Sequence, residues 1–216
     1  MLYVKCQFRK FDNVFISYLN QSLQTNFLSY IKFNELFLID DGTMTISYYN
    51  QIKKGTNVFF ESLISHNKSP KLTLFTLFDL PMRSELNVQK NDFNYLKSLF
   101  KDKRNIKKKI VWFIGGNWVE FGSIDSESYY EKIKSEVQKI NGNCSVHYLA
   151  HRREEDENLV NLKTIENLTV VNNIEPLELK LLKSKDLPQF LITFTSTSIF
   201  TLRLLFPEIK IILLDH

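Results

Sequence analysis

Short apolar runs alternate with segments of helical periodicity in the second half of the chain. The apolar runs have strand length and cover residues 109–115, 145–150, 168–171, 189–194 and 210–214. Helices are predicted between them, at residues 126–141, 176–183 and 198–206. Because the connections are short, the strands should be parallel and joined by right-handed crossovers. The pattern predicts a doubly wound α/β domain, a fold that binds ligands beyond the carboxyl ends of its strands.

The first half follows a less regular version of the same pattern. Strands are predicted at residues 13–16, 35–39 and 72–78, and helices at residues 24–31 and 45–54. This set resembles the end of a second α/β domain more than a whole one. Residues 87–109 are polar and charged, so the domain boundary is placed near residue 100, with domains at residues 1–100 and 101–216.

Composition adds little to this picture but excludes several classes of protein. The 216 residues are 44% hydrophobic and 24% charged, which rules out disordered and collagen-like chains. Cys6 and Cys144 stand far apart, which excludes a disulfide scaffold and a cysteine-rich zinc site. No apolar segment approaches the roughly 20 residues that span a bilayer, and the charged N-terminus is unlike a signal peptide. We therefore expect a cytoplasmic protein.

Much of the net charge of +4 lies in one stretch, KDKRNIKKK at residues 101–109. Two interpretations stay open for it: a solvated linker, or a patch that faces phosphates or acidic lipid headgroups. No aromatic-interleaved basic face and no known motif accompany it, so nucleic acid is not an expected partner.

An acidic pair directly follows the predicted strand at residues 35–39. Asp40 and Asp41 repel each other as carboxylates, and one of them can serve as a general base for a hydroxyl group. Gly42 permits a tight turn with positive φ. The alternative is an ordinary acidic turn, because Asp-Gly is a common turn signal.

His151 directly follows the predicted strand at residues 145–150. A histidine at a strand end can give a proton or a hydrogen bond to a phosphate, and the adjacent Arg152 would reinforce a phosphate site. The alternative is a surface loop of mixed charge in which the acidic residues 154–156 pair with the arginines.

Short hydroxyl residues fill positions 195–198, between a predicted strand and a predicted helix. Ser196 and Thr197 can form an anion site with the free N–H groups of the helix, or act as ordinary helix caps. Gly115 and Gly116 also follow a strand, but they do not form the GxGxxG dinucleotide fingerprint. The sequence contains no Walker A loop, HExxH, GxSxG or DxD pair suited to a divalent metal, so no cofactor or metal is expected.

The acidic pair, His151 and the hydroxyl cluster each follow a different strand, and they lie in two different predicted domains. Two α/β domains that face each other enclose a cleft. A nucleotide-activated sugar suits that cleft, with its phosphate against His151 and the hydroxyl cluster and the acceptor hydroxyl against Asp41.

The order of the motifs LIDDGT, FIGG, YLAHRRE, PLE and TSTSIFTL resembles that of bacterial sialyltransferases. It is most similar to glycosyltransferase family 52, the lipooligosaccharide sialyltransferases related to the polysialyltransferases. The marks of that family are an acidic-acidic-Gly motif, a His-Pro motif and a Ser-Ser/Thr motif. The resemblance implies a GT-B fold of two Rossmann-like domains. It also implies inverting, metal-independent transfer of sialic acid from CMP-sialic acid to a lipooligosaccharide or capsule glycan.

The same resemblance assigns roles to individual residues. Asp41 is the expected base, with Asp125 as a rival, and His151 would assist departure of the CMP phosphate. Ser196 and Thr197 would hold that phosphate, and Glu178 stands where the family places a carboxylate near the cytidine ribose. The expected substrate-binding residues are Asp40, Gly42, Gly115, Arg152, Glu178, Ser196 and Thr197.

The chain departs from the family pattern in two ways. Arg152 replaces the Pro of His-Pro, which leaves the loop less constrained. The chain is also shorter at its N-terminus than the family, so the first domain is expected to be incomplete, and a homodimer would cover its apolar surface. A surface glycan as acceptor implies peripheral association with the inner face of an anionic membrane. Two alternatives stay open: a non-catalytic remnant that binds CMP or a CMP-sugar, and a glycosyltransferase that uses another nucleotide sugar.

Overall fold

The computed structural model describes residues 10–17, 22–56, 71–84, 86–100, 105–140, 142–194 and 196–215. The chain forms two compact units, Met1–Asp92 and Phe93–His216, each with its own parallel sheet. The α/β class predicted from the sequence is confirmed. The units divide somewhat before the expected boundary near residue 100, because the helix Asn94–Leu99 packs through Leu96 against the core of the second unit.

The first unit contains a four-stranded parallel sheet whose strands pair in chain order. The strands are β1 (Lys10–Ile16), β2 (Lys32–Ile39), β3 (Lys71–Thr76) and β4 (Asn87–Lys90). Helix α1 (Ser22–Tyr30) connects β1 to β2, and helix α2 (Met44–Lys53) follows β2.

Alternation along β2 determines which face of this sheet is buried. Leu36 and Leu38 are almost inaccessible and belong to one apolar cluster with Leu28 of α1. Phe37 lies on the opposite face and stacks on Phe15, with ring centroids 4.7 Å apart. Phe15 nevertheless remains 58% exposed, so the second face of the sheet is less covered than the first.

The second unit contains five parallel strands and five helices among the described residues. The strands are β5 (Asn105–Ile114), β6 (Ser145–Ala150), β7 (Leu168–Asn172), β8 (Asp186–Phe194) and β9 (Lys210–Leu214). The helices are α3 (Asn94–Leu99), α4 (Ser126–Lys139), α5 (Asp156–Leu162), α6 (Leu177–Lys183) and α7 (Ser198–Leu205).

The strand order of the second sheet is β7-β6-β5-β8-β9. The chain therefore builds outward from β5 to β7 and then returns to place β8 on the other side of β5. This is the order of a doubly wound, Rossmann-like sheet. Apolar clusters cover both faces, one around Phe113 and Tyr148 and the other around Leu191 and Leu202. The point where the order reverses, between β5 and β8, is where such sheets bind ligands.

The basic stretch at residues 101–109 differs from the linker expectation. Residues 101–104 lie outside the described part of the chain, whereas residues 105–109 form the first half of β5. Lys107 lies 3.5 Å from Asp186 across the sheet. The linker interpretation is therefore wrong for residues 105–109. These lysines lie at the amino end of β5, the opposite end from the ligand-binding edge.

Three short elements, β4, α3 and α5, were missed by the sequence pattern. Each has at most seven residues, too few for a clear periodicity. Helix α5 is held mainly by Leu159 and Leu162, both of which are buried. Within the ranges that the structure describes, no helix is long and apolar enough to cross a membrane.

Candidate functional site

A pocket of about 350 Å³ lies at the carboxyl ends of the strands in the second unit. We refer to it as the strand-end pocket. It is lined by Ile114, Gly115, Leu149, Ala150, His151, Arg152, Asn173, Ile174, Glu175, Pro176, Leu177, Glu178, Ser196 and Ser198. These residues come from the ends of β5 and β6, from the segment that follows β7 and the first turn of α6, and from the segment between β8 and the start of α7. The pocket therefore spans the point where the strand order reverses.

Five of the residues predicted from the sequence meet in this pocket. Gly115, His151, Arg152, Glu178 and Ser196 all line it, although they are spread along the second half of the chain. The parallel strands bring them together because every strand of this sheet ends at the same edge.

His151 is half-buried and directly follows β6. Its Nδ1 accepts a hydrogen bond from the Arg153 N–H at 3.3 Å, so the neutral ring carries its proton on Nε2. Burial lowers the pKa of His151, and the positive charges of Arg152 and Arg153 lower it further, while Glu120 opposes them. At neutral pH the imidazole is therefore an uncharged N–H donor.

The loop after β6 does not form the mixed-charge pairs that the sequence offered as an alternative. Arg152 and Arg153 are exposed, and no ion pair joins either arginine to an acidic group in the part of the chain described. Glu154 instead points inward and accepts hydrogen bonds from the Tyr148 hydroxyl and the His151 N–H. Arg152 is thus left available for an anion.

Ser196 and Ser198 form a pair of hydroxyls where the chain enters α7. Their Oγ atoms lie 3.0 Å apart, and the Ser198 N–H contacts the Ser196 Oγ at 3.4 Å. Thr197 occupies the N-cap position, but its side chain makes no cap hydrogen bond, and it is not among the pocket-lining residues. A capping role for the Thr197 side chain is therefore not supported. Ser198 lines the pocket in place of Thr197, which was the residue expected there.

The far side of the pocket, after β7, is acidic and amide-rich. Asn173 donates to the Glu175 carbonyl at 2.8 Å, and Glu175 forms an ion pair with Lys183 at 2.6 Å. Glu178 lies in the first turn of α6 and is half-buried. The pocket thus offers cationic and hydroxyl groups after β6 and β8, and carboxylate and amide groups after β7.

Gly115 forms part of the floor of the pocket, and its N–H donates to the Leu149 carbonyl at 2.9 Å. A Cβ at this position would overlap Glu154 Oε2 and stand 2.7 Å from the Tyr148 hydroxyl oxygen. Glycine is favoured here by the two side chains and by the Leu149 carbonyl oxygen, which would lie 2.9 Å from a Cβ, a reason that the sequence alone does not reveal.

Burial raises the pKa of Glu154 to about 7, and the nearby charge of Glu120 contributes to the increase. The hydrogen bonds from Tyr148 and the His151 N–H act in the opposite direction. From the sequence, Glu154 was expected only as one of the acidic residues of a mixed-charge surface loop. The inward position of Glu154 depends on its hydrogen bond from Tyr148 of β6 and on the absence of a side chain at Gly115.

Asp125, the rival base, lies outside the strand-end pocket. It is the exposed N-cap of α4, and its Oδ1 accepts the Ser128 N–H at 2.8 Å. That backbone hydrogen bond lowers the pKa of Asp125. A lowered pKa makes a carboxylate a weaker base, so the position is better explained by helix capping.

The acidic motif after β2 belongs to the first unit, and its two carboxylates have different surroundings. Asp40 Oδ2 accepts the Leu77 N–H at 2.6 Å, which ties the motif to the end of β3. Asp41 is exposed, and its carbonyl accepts the Met44 N–H at the start of α2. Gly42 has a φ of 55°, which confirms the expected tight turn. Asp40 is thus held in place, whereas the side chain of Asp41 faces solvent.

Comparison with known proteins finds no matching family model and no significantly similar curated protein. Among the described residues, no group of three or more histidine, cysteine or acidic side chains is placed to hold a metal ion.

Proposed function

We propose that this chain is a glycosyltransferase that transfers sialic acid from CMP-sialic acid to a hydroxyl of a cell-surface glycan. In this proposal the two units are the two Rossmann-like domains of a GT-B enzyme, and the strand-end pocket binds the donor. The observation that carries the proposal is the meeting of His151, Arg152, Ser196 and Glu178 at one edge of a doubly wound sheet.

The pocket suits a nucleotide with a single phosphate. His151 offers an uncharged N–H, Arg152 offers a cation and Ser196 offers a hydroxyl, which together satisfy the oxygens of one phosphate. Glu178 and Asn173, on the side after β7, can accept and donate hydrogen bonds to a ribose and a base. A volume of about 350 Å³ lies at the lower end of the range for ligand pockets, which favours a mononucleotide.

The proposed reaction is an inverting displacement. The bond between the anomeric carbon of sialic acid and the CMP phosphate oxygen breaks, and its electron pair leaves with the phosphate. The acceptor hydroxyl oxygen forms the new bond from the opposite face, and Asp41 takes the hydroxyl proton. The transition state resembles an oxocarbenium ion, as in other glycosyl transfers.

Stabilisation of the departing phosphate falls to the residues of the pocket. Negative charge builds on the phosphate as the bond breaks, so donors already in position lower the barrier. Each such donor contributes roughly 3 kcal/mol in comparable sites. His151 is suited to this role because its Nδ1 is already occupied by the Arg153 N–H, which orients Nε2 as the donor.

Incubation with CMP-sialic acid and a galactose-terminated acceptor tests the proposal, alongside calorimetric titrations with CMP and with UDP. We expect a sialylated product, measurable CMP binding and weaker UDP binding. Binding of UDP in preference to CMP would point to another nucleotide sugar, and no binding of either nucleotide would overturn the proposal.

A second function is favoured by the composition of the pocket. All of its lining residues belong to the second unit, so nucleotide binding requires no side chain from the first. A protein that binds CMP without transferring sugar would use the same pocket. Binding of CMP with no product in the transfer assay would support this alternative.

A further inference from the structure

A chain of hydrogen bonds lies behind the strand-end pocket and ends in the loop after β6. The Tyr129 and Tyr148 oxygens lie 2.8 Å apart, and the Tyr148 hydroxyl donates to Glu154 Oε1. Because Tyr148 donates to Glu154, Tyr129 must donate to Tyr148. The chain therefore runs from Tyr129 of α4, through Tyr148 of β6, to the carboxylate of Glu154 in the loop after β6.

Glu154 ends this chain and also holds the loop that presents His151. Its Oε2 accepts the His151 N–H, while its own N–H donates to the His151 carbonyl at 2.9 Å. These two bonds close the turn at both ends. The side chain of Glu154 lies beneath the pocket, against Gly115, and is not among the residues that line it.

We propose that Glu154 is a positioning residue, which holds the turn carrying His151 and Arg152 so that a bound phosphate meets the imidazole in a fixed orientation. This inference rests on the proposed function, because it treats the strand-end pocket as the anion site. Glu154 itself does not contact the ligand. It acts through the backbone of His151 and through Tyr148.

The surroundings of Glu154 support a role in orienting the turn. Tyr129 and Tyr148 are at most 2% exposed, so the two hydroxyls have no competing water on that side. An unmet hydrogen bond at such a position is costly, which favours one orientation of the carboxyl group. The titratable groups that interact with the Glu154 carboxyl are Glu120, Tyr129 and Tyr148.

The test compares Glu154→Ala, Glu154→Gln and, as a matched control, Glu155→Gln. Glutamine can accept the His151 N–H and donate to Tyr148, whereas alanine can do neither. Glu155 is exposed and directly adjacent, so its replacement removes a neighbouring carboxylate without altering the hydrogen bonds of the Glu154 side chain. We expect Glu154→Ala to weaken CMP binding about tenfold, with binding restored in Glu154→Gln and unchanged in Glu155→Gln.

A readout that needs no ligand separates this inference from the proposed function. The His151 backbone amide should titrate in NMR spectra with a midpoint near pH 7 in the wild type, because it donates to Glu154. That transition should be absent in Glu154→Gln, where only the titration of the His151 imidazole itself, at lower pH, remains. Amide exchange at His151 should quicken about tenfold in Glu154→Ala.

The outcomes distinguish the two hypotheses. If the titration and the exchange rate of the His151 amide were unchanged in both variants, the positioning role of Glu154 would be overturned, whether or not CMP binds. A responsive amide in a wild-type protein that binds no CMP would leave Glu154 as a structural residue of the turn and overturn the proposed function. Equal loss of CMP binding in the alanine and glutamine variants would also contradict positioning, since it would indicate a need for the charge itself.

Discussion

Both units contain a parallel sheet, but their described strands follow different orders. In the first unit the strands pair in chain order, so the sheet grows in one direction. In the second, the order reverses between β5 and β8, and the strand-end pocket spans that point. Asp40 and His151 both follow a strand directly, yet Asp40 accepts the N–H of Leu77, just after β3, while His151 lines the pocket. Strand order, more than the polar residue itself, distinguishes the two positions.

The two units also have separate roles in the proposed reaction. In the proposed reaction, the second unit would supply the groups that bind and stabilise a phosphate, and the first would supply an exposed carboxylate on a tight turn. Donor binding and proton removal should therefore respond separately to substitution.

The largest effect is expected for Asp41→Asn. Loss of a general base lowers the rate of transfer by about 10²-fold or more, while CMP affinity stays unchanged because the pocket lies in the other unit. The measurements are steady-state sialyl transfer and calorimetric CMP titration. Asp79→Asn is the matched control, since Asp79 is another exposed carboxylate after a strand of the first unit. If CMP affinity fell as much as turnover, Asp41 would not be the base.

Replacement of His151 should affect binding and turnover together. His151→Ala removes an N–H donor to a charged phosphate, so we expect a loss of roughly tenfold in CMP affinity and a further loss in transfer rate. His147→Ala is the control, because its Nε2 bonds to Ser145 Oγ at 2.8 Å within β6 and does not line the pocket. Unchanged kinetics in His151→Ala would remove the residue from the site.

Substitution of Gly115 tests whether close packing at the floor of the pocket is needed for stability and for CMP binding. Gly115→Ala places a methyl group against Glu154 and Tyr148, which should lower the free energy of unfolding by about 1–3 kcal/mol and weaken CMP binding. Gly142→Ala is the matched control, since a Cβ there meets no atom within 4 Å. Urea unfolding and CMP titration measure the two effects. Equal behaviour of the two variants would show that the floor tolerates a side chain.

Much of the second unit could be predicted from its sequence, because its strands are short apolar runs with clear ends. The runs predicted at residues 145–150 and 210–214 match β6 and β9. Since parallel strands end at one edge, the positions of His151 and Ser196 in the pocket followed from that pattern. The short elements β4 and α5 did not follow, because four and seven residues carry too little periodicity.

The supporting residues of the site could not be read from the sequence. Glu154 stands in a run of charged residues that looks exposed, and its burial depends on two tyrosines from different elements. The distinction between Asp41 and Asp125 was equally hidden. Both are acidic residues near the start of a helix, and only the Ser128 N–H identifies Asp125 as a cap.

The smallest effect is expected for Asp125→Ala. Loss of the cap should lower the melting temperature by a few degrees without changing the transfer rate, whereas Asp125→Asn should keep the cap and the stability. Because the pKa of Asp125 is lowered in the folded protein, its contribution is present above the ordinary value of 3.8 and is lost as the pH falls through the folded value. Melting curves of wild type and Asp125→Ala should therefore converge in acid. A loss of turnover comparable to that of Asp41→Asn would instead make Asp125 the base.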